Sequence, residues 1–179
     1  MRHEVRFSGF GGQGIILSAV ILGRAAVMYD GNYAVQTQVY GPEARGGASM
    51  SAVIIDDQPI LYPKVTNPDI FMIMSQEGFE KYGVHAGEDA VMILDSSLVQ
   101  SRPRCRYIEI PATREAKQTL GRDIVANIIM LGALVRTTGV VGEEAIEKAI
   151  LDSVPKGTES LNLKAMKLGF ELAKKEDIT

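Results

Sequence analysis

The sequence predicts an α/β domain. It should have three layers, α/β/α, around a mostly parallel but mixed sheet, and be Rossmann-like in outline. Two observations predict this. Short apolar runs alternate with helical patterns along nearly the whole chain. Several runs, such as Ile70–Met74, are wholly apolar, as in strands buried on both faces. At 179 residues with no linker-like stretch, residues 1–179 read as a single domain with room for a substantial core.

The elements follow in order. Glu4–Ser8 is a strand. Gln13–Tyr29 is a helix with Ile15, Ala19, Leu22 and Ala26 on one stripe, and Ile16, Val20 and Ile21 suggest burial on more than one side. Tyr33–Gln38 is a second strand, and Gly41–Gly47 a loop with three glycines and a proline. Ala48–Ile55 is strongly strand-like. After the turn Asp56-Asp57-Gln58, Pro59–Tyr62 is expected to return antiparallel as a hairpin, which would make the sheet mixed. Ile70–Met74, Ala90–Asp95 and Arg106–Ile110 are further strands. Gln76–Tyr82, Thr113–Leu120, Ile124–Thr137, Glu143–Ser153 and Glu159–Lys174 are helices. The fourth of the chain's six helices should present Ile124, Ile128, Leu131 and Val135, and the last Leu161, Ala165, Leu168 and Leu172.

Composition narrows the function. A net charge of −3 gives no electrostatic case for nucleic acid or an anionic membrane. The start, Met1–Arg6, is too polar for a signal peptide, and no apolar run is long enough to span a bilayer. The single cysteine, Cys105, precludes an internal disulfide, a Cys₄ iron–sulfur cluster or a cysteine-built zinc site. A cytoplasmic protein is expected. No Ser-His-Asp set, paired zinc-binding histidines or Walker sequence is present, so no catalytic residue and no metal ligand is assigned.

Two glycine-rich segments stand out. Gly9-Phe10-Gly11-Gly12-Gln13-Gly14 lies between the first strand and the first helix. Exposed N–H groups and the helix dipole favour negative charge there. The spacing also fits a dinucleotide turn, but such a site needs an acid near the end of the second strand, and that strand ends without one; Asp30 precedes it. The turn can therefore be a close helix–sheet packing device or a contact for a partner chain or a phosphate-bearing ligand, with a free-standing dinucleotide-binding protein as the alternative reading. Gln13 is an odd choice for packing alone, since its amide both donates and accepts. The second segment is Tyr40-Gly41-Pro42-Glu43-Ala44-Arg45-Gly46-Gly47. Glu43 and Arg45 can pair locally, or order a partner segment or an anionic group. Both segments leave strand C-termini and should gather at one edge of the sheet. His3 and His85 are expected at the solvated surface, Cys105 as a structural side chain, and Asn127 and Asn162 as hydrogen-bonding anchors.

These two segments, in this order and spacing, resemble the gamma subunit of 2-oxoacid:ferredoxin oxidoreductases. Pro63-Lys64-Val65, Pro68-Asp69, Leu94-Asp95-Ser96, Asn127 with Leu131-Gly132-Ala133, and Asn162 extend the resemblance over essentially the whole chain. Gln36-Thr37-Gln38 looks most like the 2-oxoglutarate branch; pyruvate, 2-oxoisovalerate and indolepyruvate relatives share the core motifs. The resemblance implies a heterotetramer with alpha, beta and delta subunits that converts a 2-oxoacid to its acyl-CoA and reduces ferredoxin. Thiamine diphosphate and iron–sulfur clusters would lie in the partners and none on this chain. The subunit-interface or cofactor-binding residues would be Gly9, Gly11, Gly12, Gln13, Gly14, Tyr40, Gly41, Pro42, Glu43, Arg45, Gly46 and Gly47, with room for a coenzyme A contact. The isolated chain could form a homodimer through an apolar patch.

Overall fold

The computed structural model describes residues 1–39 and 47–175. The chain forms β1 (His3–Phe10), α1 (Ile15–Met28), β2 (Tyr33–Val39), β3 (Ala48–Asp56), β4 (Ile70–Ile73), α2 (Gln76–Tyr82), β5 (Val91–Asp95), β6 (Arg106–Ile110), α3 (Ala112–Thr119), α4 (Ala126–Thr138), α5 (Glu143–Leu151) and α6 (Glu159–Lys175). The strands make one sheet in the order β2-β3-β1-β4-β5-β6. β1, β4, β5 and β6 are mutually parallel, and β3 runs antiparallel to both of its neighbours. The sheet is mixed, as expected.

Its hairpin is not the one expected. β2 and β3 are the antiparallel pair, and Pro59–Tyr62 forms no strand. The reason is edge availability: β3 is bonded to β1 on one side and β2 on the other, so a returning strand has no free ladder to join. Leu61 is instead 94% exposed.

Alternation along the buried strands divides the core in two. Val5, Phe7, Val53, Ile70, Met72, Ile93 and Ile108 face a large cluster built with α1, α3, α4, α5 and α6. Phe71, Ile73, Met92 and Leu94 face the other side, where Phe79 of α2 and Cys105 cover them. The three layers are therefore unequal. The thicker side is closed by α4 and α6, which meet backbone to backbone at Gly132 and Gly169. A Cβ at Gly132 would overlap the Met166 carbonyl, and one at Gly169 the Ile129 carbonyl.

Two helical stripes differ in part from the pattern. Ile15, Ala19, Leu22 and Ala26 are buried, but Val20 is 37% exposed, because α5 and α4 cover only one flank of α1. Ile124 lies in a short 3₁₀ turn, Asp123–Val125, ahead of α4 and is 72% exposed; the tighter turn rotates it off the stripe that buries Ile128, Leu131 and Val135. His3 is not simply solvated: its Nδ1 lies 2.6 Å from Asp69 Oδ2, at the start of β4.

Candidate functional site

β1 and β4 are neighbours whose chains leave toward opposite faces, β1 into α1 and β4 into α2. Such a divergence opens a crevice beyond the strand ends. The Gly9–Gly14 turn occupies it. The register Phe10↔Ala48 and Gln38↔Ser51 brings the start of β3 and the end of β2 to the same end of the sheet. The described flanks of the second glycine segment, the end of β2 and the start of β3, therefore lie at the same edge as the first. Gly47 is half-buried there, and the next residue, Ala48, donates its N–H to Glu77 Oε1 in the first turn of α2 (3.1 Å). Tyr40, Gly41, Pro42, Glu43, Arg45 and Gly46 lie outside the described residues.

The turn itself is clipped at three points. Gln13 uses both ends of its amide: Oε1 accepts from the Phe10 N–H (2.8 Å) and Nε2 donates to the Met74 carbonyl at the end of β4 (2.8 Å). Gly9 lies under that clip, where a Cβ would overlap Gln13 Oε1. At the other end Gly14 is left-handed, φ 75°, and caps α1 without a side-chain cap. Asn127, buried in α4, donates to the Gly14 carbonyl and to Ser18 Oγ, each at 3.2 Å. A Cβ on Gly14 would lie 2.5 Å from Asn127 Nδ2.

Gly11 and Gly12 behave differently. The close approach expected of this turn belongs to Gly9 and Gly14. A Cβ at Gly11 or Gly12 would meet nothing within 4 Å, and what Gly12 needs is its backbone conformation, φ 92°. Gly12, with Gly11 before it, stands as a ridge between two clefts, both of which Gly12 lines. On one side a cleft of about 520 Å³ runs between the turn, Leu17, the start of α4 and the α5–α6 connection at Val154, Pro155, Gly157 and Thr158, with Arg122 and Asn162 at its walls. On the other, a cleft of about 350 Å³ lies between Phe10, Gln13, Met74, Leu98 and Thr113. No acidic side chain lies in the first turn of α1. The ridge therefore offers backbone N–H groups and a positive helix end to an anion, with apolar walls beside it.

The remaining anchors hold the crevice in shape. Asp95, fully buried at the end of β5, accepts from Ser97 N, Thr113 N and Thr113 Oγ1, joining that strand to α3. Asn162 donates to the Thr158 carbonyl and hydroxyl, fixing the cleft wall. Asp30 accepts from the Gly142 N–H (2.8 Å), so it serves the start of α5 and not a ribose. Burial pushes the Cys105 thiol up, which keeps it protonated and unreactive. Among the described residues, no group of three His, Cys, Asp or Glu side chains could hold a metal, and no helix is long and apolar enough to cross a membrane. Sequence reasoning missed the α5–α6 connection as a wall of the site. Its Pro155 and Gly157 carry no charge or hydrogen-bonding side chain that would mark them in the sequence.

Residues 4–172 match the family model described as pyruvate ferredoxin/flavodoxin oxidoreductase. The chain is 55% identical to the 2-oxoglutarate synthase subunit KorC of Methanocaldococcus jannaschii, over 97% of this chain and 95% of that one. It is 34% identical to the pyruvate synthase subunit PorC of the same organism, over 96% of this chain and 98% of that one. A crystal structure of the gamma subunit of a keto/oxoacid ferredoxin oxidoreductase from Geobacter sulfurreducens superposes with a TM-score of 0.88 at 47% identity, covering 97% of this chain and 99% of the other.

Proposed function

The chain belongs to the pyruvate ferredoxin/flavodoxin oxidoreductase family, as a gamma subunit, and we propose that it completes a 2-oxoglutarate:ferredoxin oxidoreductase by presenting its glycine ridge to coenzyme A and to partner chains. One observation carries the choice of substrate. Two subunits of one organism, named for 2-oxoglutarate and for pyruvate, differ by 55% against 34% in identity to this chain. The overall reaction joins 2-oxoglutarate and coenzyme A, releases carbon dioxide, forms succinyl-CoA and passes two electrons to ferredoxin.

The groups that drive this chemistry belong to partner chains. A cubane cluster needs several thiolates, and this chain has one cysteine, buried at the start of β6. Thiamine diphosphate supplies the carbanion chemistry when bound, and we assign it, with the iron–sulfur clusters, to the alpha, beta and delta subunits of a cytoplasmic heterotetramer. Coenzyme A suits this chain better. Gly11 and Gly12 face open space where a side chain would stand, beside an uncapped helix start. A phosphate there meets backbone donors and the positive end of α1. The apolar cleft walls favour the pantetheine arm, and Arg122 is a counter-charge at the rim. In this reading Gly9, Gln13 and Gly14 hold the ridge in shape. Tyr40, Gly41, Pro42, Glu43, Arg45, Gly46 and Gly47 meet a partner chain at the same edge.

The test is kinetic. The full complex, assembled with its alpha, beta and delta chains, should turn over 2-oxoglutarate in preference to pyruvate. Gly12→Val puts a branched side chain at φ 92° and into the ridge. It should raise KM for coenzyme A by about tenfold and leave KM for the 2-oxoacid unchanged. Preference for pyruvate would overturn the choice of substrate. An unchanged KM for coenzyme A would remove the ridge from its binding.

A further inference from the structure

We propose that Asn127 and Asn162 read the pantetheine arm of coenzyme A, each Oδ1 accepting a hydrogen bond from one of the arm's amide N–H groups. The inference rests on the coenzyme A reading above, and it names the residues that recognise the arm.

The two asparagines come from different helices, Asn127 from α4 and Asn162 from α6, and both line the cleft of about 520 Å³ beside the ridge. Each is more than nine-tenths buried, Asn127 at 3% and Asn162 at 7% exposure. In both, the amide nitrogen is spent. Asn127 Nδ2 donates to the Gly14 carbonyl and to Ser18 Oγ, and Asn162 Nδ2 to the Thr158 carbonyl (2.9 Å) and Thr158 Oγ1 (3.1 Å). A carbonyl oxygen can only accept, so each amide must turn its nitrogen to that carbonyl and its oxygen the other way. No donor among the described residues reaches either Oδ1. Neither oxygen is sealed inside the protein, because the one side-chain nitrogen or oxygen that is both buried and unpaired among the described residues is Arg6 Nε. Each Oδ1 therefore opens on the cleft that its residue lines.

Two acceptors in a cleft short of free donors specify the ligand. The Thr158 hydroxyl accepts from Asn162 and donates to the Pro155 carbonyl (2.7 Å), so its proton is spent as well. The remaining walls include Leu17, Val125, Ile128, Val154 and Leu161, with Arg122 as the charged lining residue. A group bound there must bring N–H donors on an apolar frame, and it can carry negative charge at the end near the ridge and Arg122. A chain of methylenes interrupted by secondary amides has this character. An ester or carboxylate in the same place would set oxygen against oxygen and leave the buried acceptors unpaired.

The test uses the complex assembled with its alpha, beta and delta chains, and two coenzyme A analogues. In each analogue one pantetheine amide N–H is replaced by an ester oxygen, which removes a donor at nearly constant size. With wild type, each analogue should raise KM by about tenfold relative to coenzyme A. Asn162→Leu should raise KM for coenzyme A itself by about as much and abolish the penalty of one analogue, and Asn127→Leu should do the same for the other. A purely structural role would raise all three KM values together and leave the ratios unchanged, which would overturn the proposal. So would analogues that wild type uses as well as coenzyme A, a result that needs no variant to fold. If Gly12→Val leaves KM for coenzyme A unchanged, the underlying reading fails and this inference with it. If Gly12→Val raises that KM while the analogue ratios do not respond to the asparagines, only this inference fails.

Discussion

Glu4 illustrates how much one side chain settles. It lies in β1, only 8% exposed, on the thinner side of the sheet. Its Oε2 accepts from the Thr66 and Asn67 N–H groups, and its Oε1 from Arg2. It thereby ties down the long connection from β3 to β4. Burial opposes its charge, but the Asn67 amide, the Arg2 guanidinium and the Thr66 amide outweigh that and hold its carboxyl below the ordinary 4.5. A carboxyl depressed on folding stabilises above its unfolded pKa and ceases to as pH falls through the folded one. Glu4→Gln should therefore cost about 1–3 kcal/mol at neutral pH. Denaturant midpoints of the two proteins should converge as the pH is lowered below 4.5; a constant gap would refute the account. Nothing in the sequence singles out Glu4, because its partners are backbone amides more than sixty residues away. Gln13 and Asn127 stood out as polar residues in apolar or glycine-rich settings, yet their partners, Met74 and Gly14, become visible only with the fold.

At the scale of elements, the strands buried on both faces were legible from their unbroken apolar runs, and the last helices from their periodicity. The false hairpin at Pro59–Tyr62 shows where that reasoning ends. A short run after a turn can be read as a strand, but whether a ladder is free to receive it is a property of the whole sheet. The packing of α4 on α6 was legible only as a glycine in a helix. Its cause is that the two backbones touch at Gly132 and Gly169. Gly132→Ala should accordingly destabilise the fold by about 1–3 kcal/mol, against the gain expected of alanine in a free helix. Thermal unfolding reads this directly, and a midpoint at or above wild type would mean that the helices can part at no cost.

For the whole molecule, the sheet does two things. Its parallel half and the divergence of β1 from β4 make the crevice that the glycine ridge divides. Its antiparallel half brings the end of β2 and the start of β3, which flank the second glycine segment, to the same end, with β2 as the terminal strand. The placing of the first segment and of the flanks of the second at one end of the sheet was legible from their positions beside strands. The clefts were not, because their walls come from far along the chain, one from residues 154–162 and the other from Met74, Leu98 and Thr113. The fold thus supplies a shaped platform with largely apolar cleft walls and Arg122 beside it; in the proposed function the redox chemistry enters with other subunits. The direct measurement is succinyl-CoA formation, coupled to ferredoxin reduction, by the alpha, beta and delta chains with and without this one. The account predicts turnover that depends on adding this chain and none from the chain alone. Equal turnover in its absence, or decarboxylation of 2-oxoglutarate by the isolated chain, would contradict it.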